Sequence, residues 1–276
     1  LACGTIPAMS LSPDTARRQG DWRRPLRYAW RVPLLSLHVL VALPLTLVMI
    51  NPLSARIELR GERLDHQAIR LWSGLLMRIF GFRLRRYGTP LPGAALFVAN
   101  HVSWIDIELM HSQRMMGFVA KAEINAWPVV GWMARVGETV FHQRGSHDSA
   151  SDVVAAMSAR LRAGGRVAIF PEGGILPGHG IKRFHARMFG AAIDAGARVQ
   201  PVMLRYSRDG RLHGDISFRP GEHFLANFLR LLAQRKCIAE LHLLAPVDAA
   251  GLPRRELAAA AETAVRAAFE APLPRA

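Results

Sequence analysis

His101 and Asp106 are the two residues whose types and spacing point most directly to chemistry. They lie in the stretch Asn100-His101-Val102-Ser103-Trp104-Ile105-Asp106, directly after an apolar run at 94–99. That run reads as a buried strand, and Ser103 reads as the N-cap of a helix that follows it. His101 then sits on a strand-to-helix turn, with Asp106 in the first turn of the helix. A carboxylate so placed holds an imidazole in one tautomer and favours its protonated form, which makes the histidine a positioned general base. The same spacing carries a purely structural reading. Ser103-x-x-Asp106 is a capping-box pattern, in which the carboxylate returns to the N-cap amide. Residues five apart in a regular helix point roughly 140° apart, so the catalytic reading requires His101 to lie outside the helix.

The elements that must position such a pair are legible as short apolar runs. Strands are expected at 96–99, 117–120, 139–141, 167–170, 199–204 and 238–243, with helical stretches at 148–163 and 185–195. Strands alternating with helices predict an α/β fold, a mixed, largely parallel sheet flanked by helices. Functional residues in such sheets gather at strand ends and the turns beyond them. Three further blocks occupy such places. Gly137 to Arg144 is a strand delivering an arginine to its end. Phe170-Pro171-Glu172-Gly173-Gly174 opens a glycine-rich loop that runs on to Gly178 and Gly180. Val199-Gln200-Pro201-Val202 begins a strand that carries a proline. Each has a plain alternative. Arg144 alone is a solvated loop charge, Phe-Pro-Glu-Gly is a turn, and Pro201 is an edge or strand-start proline.

The N-terminal part has a different character. Residues 1–20 read as a polar, disordered tail. Residues 21–81 read as a membrane-associated segment, and residues 82–276 as the α/β domain. The run at 32–50 has no formal charge and nearly reaches the ~20 residues that span a bilayer. Arg23, Arg24, Arg27 and Arg31 precede it, which places that flank on the cytoplasmic side if it spans. Pro33, His38 and Pro44 interrupt it. A second segment, 69–80, is amphipathic, with Trp72 and flanking arginines. The two are expected to form a helical hairpin that dips into one leaflet, anchoring the protein through residues 32–80.

Composition agrees with a lipid surface. The chain of 276 residues is 50% hydrophobic and carries a formal charge of +15, with a mean hydropathy of +0.12 and a pI near 11.4. That balance suggests an anionic membrane partner, and the apolar run at 32–50 argues against a nucleic-acid partner. Cys3 and Cys237, the only cysteines, form no metal-like or redox-like spacing, and no metal constellation is evident.

Taken together, the four blocks resemble the glycerolipid acyltransferases, most of all the bacterial 1-acyl-glycerol-3-phosphate acyltransferases. That family carries Asn-His-x4-Asp, Gly-x-x-Phe-x-x-Arg, Phe-Pro-Glu-Gly and a Val-x-Pro strand. All four occur here in order across residues 100–202, and Lys121-Ala122-Glu123 to Gly131 is similar to a linking stretch of the family. The resemblance implies transfer of a fatty acyl group from acyl-CoA or acyl carrier protein, as donor substrate and with no cofactor, to the free hydroxyl of a lysophospholipid acceptor. Phosphatidic acid is the expected product, made at the cytoplasmic face of a bacterial inner membrane. It implies His101 as base and Asp106 as its partner, with Arg144, Glu172 and Gly173 at the acceptor. Lys121 is a candidate for stabilising the thioester oxyanion, and residues 126–136 are candidates for lining the acyl chain. One departure stands out. After Phe-Pro-Glu-Gly the family carries Thr or Ser and then Arg, where this chain has Gly174 and Ile175. Lys182 and Arg183 are the cations that can replace the missing charge. The departure keeps a different acceptor open, for example a lyso-ornithine lipid. Two other classes also remain: a lipid or thioester hydrolase, for which no Gly-x-Ser-x-Gly elbow is present, and a non-enzymatic basic membrane-binding module.

Overall fold

The structure, a computed structural model, describes residues 21–127, 130–142, 147–175 and 180–273. The segment expected as an N-terminal tail, 1–20, and Arg144 lie outside these residues.

The first helix, α1, runs from Arg24 to Met49 and is long and apolar enough to cross a membrane, with only 6% of its most apolar stretch buried. Pro25 opens it, where a missing N–H costs nothing. Pro44 lacks the N–H that would bond the Leu40 carbonyl, and its ring crowds that carbonyl. The helix accommodates it by widening into one π turn at His38–Ala42. His38, a polar flaw in the apolar run, turns inward and stacks on Trp72 with ring centroids 4.9 Å apart.

The base of α1 is fastened to the α/β body by polar contacts. Helix α7, Phe224–Leu232, ends in carbonyls that no helical N–H can reach. Arg31, buried, donates from Nη1 to the Leu232 and Gln234 carbonyls at 2.8 Å each. Arg27 Nε donates to the Ala233 carbonyl at 2.6 Å, and the Tyr28 hydroxyl to the Leu229 carbonyl at 2.8 Å. Cations at a helix C-terminus also meet its negative dipole end.

The second half of the expected hairpin differs from the sequence reading. Helix α2, Leu64–Ile79, buries Ile69 and sets Trp72, Leu76 and Met77 in the main core, leaving Leu71 as its exposed apolar residue. The interfacial reading of residues 69–80 is therefore corrected to that of a core helix. Its apolar stripe meets the sheet layer, and a stripe of this kind looks the same in sequence whether protein or lipid covers it.

The sheet combines β1 (Phe82–Tyr87), β2 (Ala95–Ala99), β3 (Gly117–Lys121), β4 (Val140–His142), β5 (Arg166–Ile169), β6 (Arg198–Arg208) and β7 (Cys237–Leu243). Their spatial order is β1-β7-β6-β2-β5-β3-β4. Along this order every neighbouring pair is parallel except β7 against β6, and a two-residue strand, Arg211–Leu212, pairs antiparallel with the end of β6, so the sheet is mixed and largely parallel, as expected. The strands expected from the sequence are present. β1 was not expected, because its arginines Arg83, Arg85 and Arg86 mask the pattern of an edge strand. Pro201 is not at an edge or a strand start. It pairs with Val98 inside the central β6, on the level where the ladder to β7 gives out and its carbonyl accepts from Leu244 N.

β2 shows how the layers form. Ala95, Phe97 and Ala99 point into one core with Leu109 and Leu232, whereas Leu96 and Val98 point into a second core with Met157 and Leu257. Strand alternation sends side chains to opposite faces. Helices α2, α3 (Ile105–His111) and α7 cover the first face. Helices α5 (His147–Arg162), α6 (Gly190–Ala195) and α8 (Arg254–Glu270) cover the second. A strand buried on both faces reads as the unbroken apolar run seen at 94–99.

Candidate active site

The turn after β2 is pinned before it reaches His101. Asn100 exchanges two hydrogen bonds with the backbone of Leu204, donating from Nδ2 at 2.9 Å and accepting at Oδ1 at 2.7 Å. These replace the ladder bonds lost as β2 ends, one residue after Ala99 pairs with Val202. The chain then leaves the sheet and His101 lies outside α3, which starts at Ile105. The condition set by the sequence for the catalytic reading is met.

Asp106 is fully buried and four donors converge on it. Oδ2 accepts from His101 Nδ1 at 2.8 Å, from Val102 N at 2.6 Å and from Ser103 N at 2.9 Å. Oδ1 accepts from the Tyr206 hydroxyl at 2.6 Å. A carboxylate offers about four lone-pair sites; here three donors share Oδ2 and one meets Oδ1. One side chain thus meets both the backbone amides, as the capping reading expects, and the imidazole, as the catalytic reading requires. The reciprocal half of the capping box is missing, because the buried Ser103 hydroxyl has no hydrogen-bond partner among the described residues. With the acceptor on the Nδ1 side, the proton sits on Nδ1, which leaves the lone pair on Nε2. Phe170, at the end of β5, stacks on the imidazole with centroids 3.9 Å apart and planes 12° apart. The histidine side chain stays 17% exposed.

The turn after β5 brings Glu172 to the same place. Gly173 adopts φ +71°, a conformation L side chains rarely take, although a Cβ there would meet the His185 ring only in ordinary contact at 3.4 Å. Pro171 is held by His185, whose amide donates to the Pro171 carbonyl at 2.9 Å. Glu172 is buried, and among the described residues neither carboxylate oxygen has a hydrogen-bond partner. Burial pushes its carboxyl up to about 7, and the Asp106 charge adds to this. The backbone of His101 and Lys182 and the Lys182 ammonium oppose the rise without reaching bonding geometry. A folded pKa raised from 4.5 means that the fold favours the neutral acid. Stability is then full below pH ~4.5 and falls as the pH climbs through about 7. Glu172→Gln should remove this slope. At pH ~8 the variant should melt roughly 5 °C above wild type, with little difference near pH ~4.5. Thermal scans at the two pH values check this, and an equal gap at both would refute it.

Lys182 lies at this site, its Nζ donating to the Ile175 carbonyl at 3.3 Å. Arg183 is exposed, and its charge acts on Glu262 of α8. The side chain of Lys121 and all of Arg144 lie outside the described residues, as do residues 176–179 of the glycine-rich loop. Within 126–136, Met133 packs on the main core while Trp127 and Trp132 are about two-fifths exposed, at 42% and 40%. An aromatic group also stands beside the pair. Trp104 packs against Phe80, Phe224 and Phe228, with its Nε1 bonded to Asn227 Oδ1 at 2.9 Å. Among the described residues, no group of three His, Cys, Asp or Glu side chains is placed to hold a metal ion.

Tyr206, Phe170 and Asn100 are the residues around the His101–Asp106 pair that sequence reasoning did not assign. Asn100 and Phe170 stand within the motifs themselves. Nothing in the local sequence marks Tyr206.

Comparison with known proteins agrees with this geometry. Residues 83–205 match the family model described as Acyltransferase. The chain is 37% identical over 206 residues to a lyso-ornithine lipid O-acyltransferase of Pseudomonas aeruginosa, covering 75% of this chain and 80% of that one. It is 38% identical over 146 residues to a 1-acyl-sn-glycerol-3-phosphate acyltransferase of Neisseria meningitidis, covering 52% and 57% respectively. The crystal structure of the 1-acyl-sn-glycerophosphate acyltransferase from Thermotoga maritima superposes with a TM-score of 0.65 at 20% identity, over 90% of this chain and 95% of that one, a likeness of fold.

Proposed function

The chain belongs to the acyltransferase family and acts on lysolipids, and from that premise we propose that it transfers a fatty acyl group to the hydroxyl of a lyso-ornithine lipid. The observation that carries the acceptor is the change after Phe-Pro-Glu-Gly, where Gly174 and Ile175 replace the hydroxyl residue and arginine of the phosphate-binding pattern. Ornithine presents a carboxylate and an amine, and does not demand the planar cationic fork that suits a phosphate monoester. The relatives point the same way. The match to the lyso-ornithine lipid enzyme of Pseudomonas aeruginosa spans 75% of the chain, and one to a lyso-ornithine lipid O-acyltransferase of Rhodobacter capsulatus spans 70% at 32% identity. The glycerol-phosphate relative from Neisseria meningitidis supports a second reading, 1-acyl-glycerol-3-phosphate as acceptor, over a shorter span.

The reaction is a direct displacement. Nε2 of His101 takes the proton of the acceptor hydroxyl as its oxygen attacks the thioester carbonyl. The resulting imidazolium faces Asp106, whose charge stabilises it. As the tetrahedral intermediate collapses, the C–S bond breaks, the ester bond remains, and the imidazolium returns its proton to the departing thiolate. Glu172, buried and unbonded beside the histidine, is the group that meets the acceptor's polar atoms, and Lys182 supplies the neighbouring positive charge. Arg144 and Lys121 are proposed at the acceptor and at the oxyanion. The acyl donor is acyl-CoA or acyl carrier protein. The enzyme works at the cytoplasmic, anionic surface of the membrane, with α1 in the bilayer.

Expression in cells that accumulate lyso-ornithine lipid tests this reading. Extracted lipids should contain the diacylated ornithine lipid, and its absence alongside active, membrane-bound protein would reject the acceptor.

A further inference from the structure

A cavity of about 680 Å³ lies at the base of α1, away from the His101 site. Arg23, Arg27, Arg31, Arg235, Lys236 and Trp30 line it. Asp21 and Asp209 also reach it, so five cations face two carboxylates. We infer that this cavity binds the phosphate of an anionic bilayer phospholipid, a lipid separate from the acceptor.

Four observations carry the assignment. First, the cations fall into two groups. Arg27 and Arg31 spend donors on the carbonyls of Leu232, Ala233 and Gln234, and so form a rigid wall. Arg23 and Lys236 have no ion-pair partner among the described residues, and Arg235 meets Asp209 only at 3.7 Å with both side chains more than half exposed. Such a pair contributes little, so three cationic heads remain available to one anion. Second, arginine and lysine together around a pocket suit phosphate, the arginine by paired donors and the lysine as a point charge. Third, the rim is aromatic. Trp22 and Trp30 are 72% and 46% exposed, with the guanidinium of Arg23 over the Trp22 ring at 4.9 Å. Tryptophan and arginine at one level mark the head-group layer. Fourth, the exposed apolar face of α1 begins directly beyond, at Leu34, Leu37 and Leu40. A phospholipid whose phosphate fills the cavity can lay its chains along that face.

The proposal rests on the reading of α1 as a bilayer helix. It gives the cavity a task, which is to clamp α1 to the end of α7 and to set the depth at which the protein sits. Neighbouring basic residues each add to the attraction of an anionic surface, so removing three of them has a readable effect.

The test compares the triple variant Arg23→Ala, Arg235→Ala, Lys236→Ala with a control that removes equal charge elsewhere, Arg83→Ala, Arg254→Ala, Arg255→Ala. Co-sedimentation is measured with phosphatidylcholine vesicles and with vesicles containing phosphatidylglycerol, after melting curves establish that all proteins are folded. The cavity variant should bind phosphatidylglycerol vesicles about tenfold more weakly than wild type while keeping its binding to phosphatidylcholine, and the control should keep both. Equal weakening in the two variants, or none, overturns the cavity as a specific site. Binding of inorganic phosphate that calorimetry finds weakened in the cavity variant, with vesicle binding unchanged, overturns the lipid as its source. Failure of wild type to bind phosphatidylcholine vesicles at all overturns the bilayer reading of α1 instead.

Discussion

Replacing His101 with alanine should lower kcat for acyl transfer by about 10³-fold, within the ~10²–10⁴ contributed by a positioned base, while leaving the protein folded and membrane-bound. Among the described residues the histidine side chain hydrogen-bonds to Asp106 alone, and its ring stacks on Phe170. The side chain stays in reach of solvent, with 17% exposed. Its loss therefore removes the proton acceptor without opening the core. The acceptor's KM should change much less than kcat, because the hydroxyl is bound by groups other than its base. Steady-state kinetics with circular dichroism on the same preparation checks both halves. A fall in KM-dependent binding with kcat preserved would show that His101 holds substrate and does not move the proton.

Asp106→Asn should cost a comparable factor in kcat and should also destabilise the protein. An asparagine can keep its oxygen toward the Val102 and Ser103 amides and turn its NH2 toward the Tyr206 hydroxyl, which can accept. The negative charge that stabilises the imidazolium is then gone. The reverse orientation sets an NH2 against two amide donors and leaves buried donors unpaired, at a cost of ~1–3 kcal/mol each. Tyr206→Phe separates the roles. The phenylalanine keeps the edge packing against Phe82 at 5.6 Å and deletes only the hydroxyl that fixes Oδ1. The expected loss is about tenfold in kcat, ~1.4 kcal/mol in the barrier and near the lower end of the ~1.5–3 kcal/mol of a hydrogen bond to a charged group, with KM unchanged. Full activity in Tyr206→Phe would mean that the three donors on Oδ2 orient the carboxylate unaided.

The dyad is legible in the sequence because its two members and the turn between them sit within one short stretch, and a turn is a local structure. Tyr206 is not legible, since it meets Asp106 from 100 residues away and stands in β6 among residues that are simply buried. Phe170 is visible as part of a motif, but its stacking on His101 depends on β2 and β5 lying side by side, which no local pattern states. The same limit governs α2. An apolar stripe with Trp72 fits a membrane surface or a protein core, and only the sheet beneath it decides. β1 escapes notice because an edge strand that is parallel to β7 and exposed on one side tolerates three arginines. His38 is visible as an interruption of an apolar run, and becomes intelligible only when Trp72 is seen to cover it.

The most direct measurement gives the purified protein equimolar lyso-ornithine lipid and 1-acyl-glycerol-3-phosphate with one acyl-CoA in mixed vesicles. Both products are quantified by mass spectrometry, for wild type and for His101→Ala. The account predicts diacylated ornithine lipid as the dominant product of wild type and the loss of both products in the variant. Phosphatidic acid as the dominant product, or turnover that survives in His101→Ala, would contradict it.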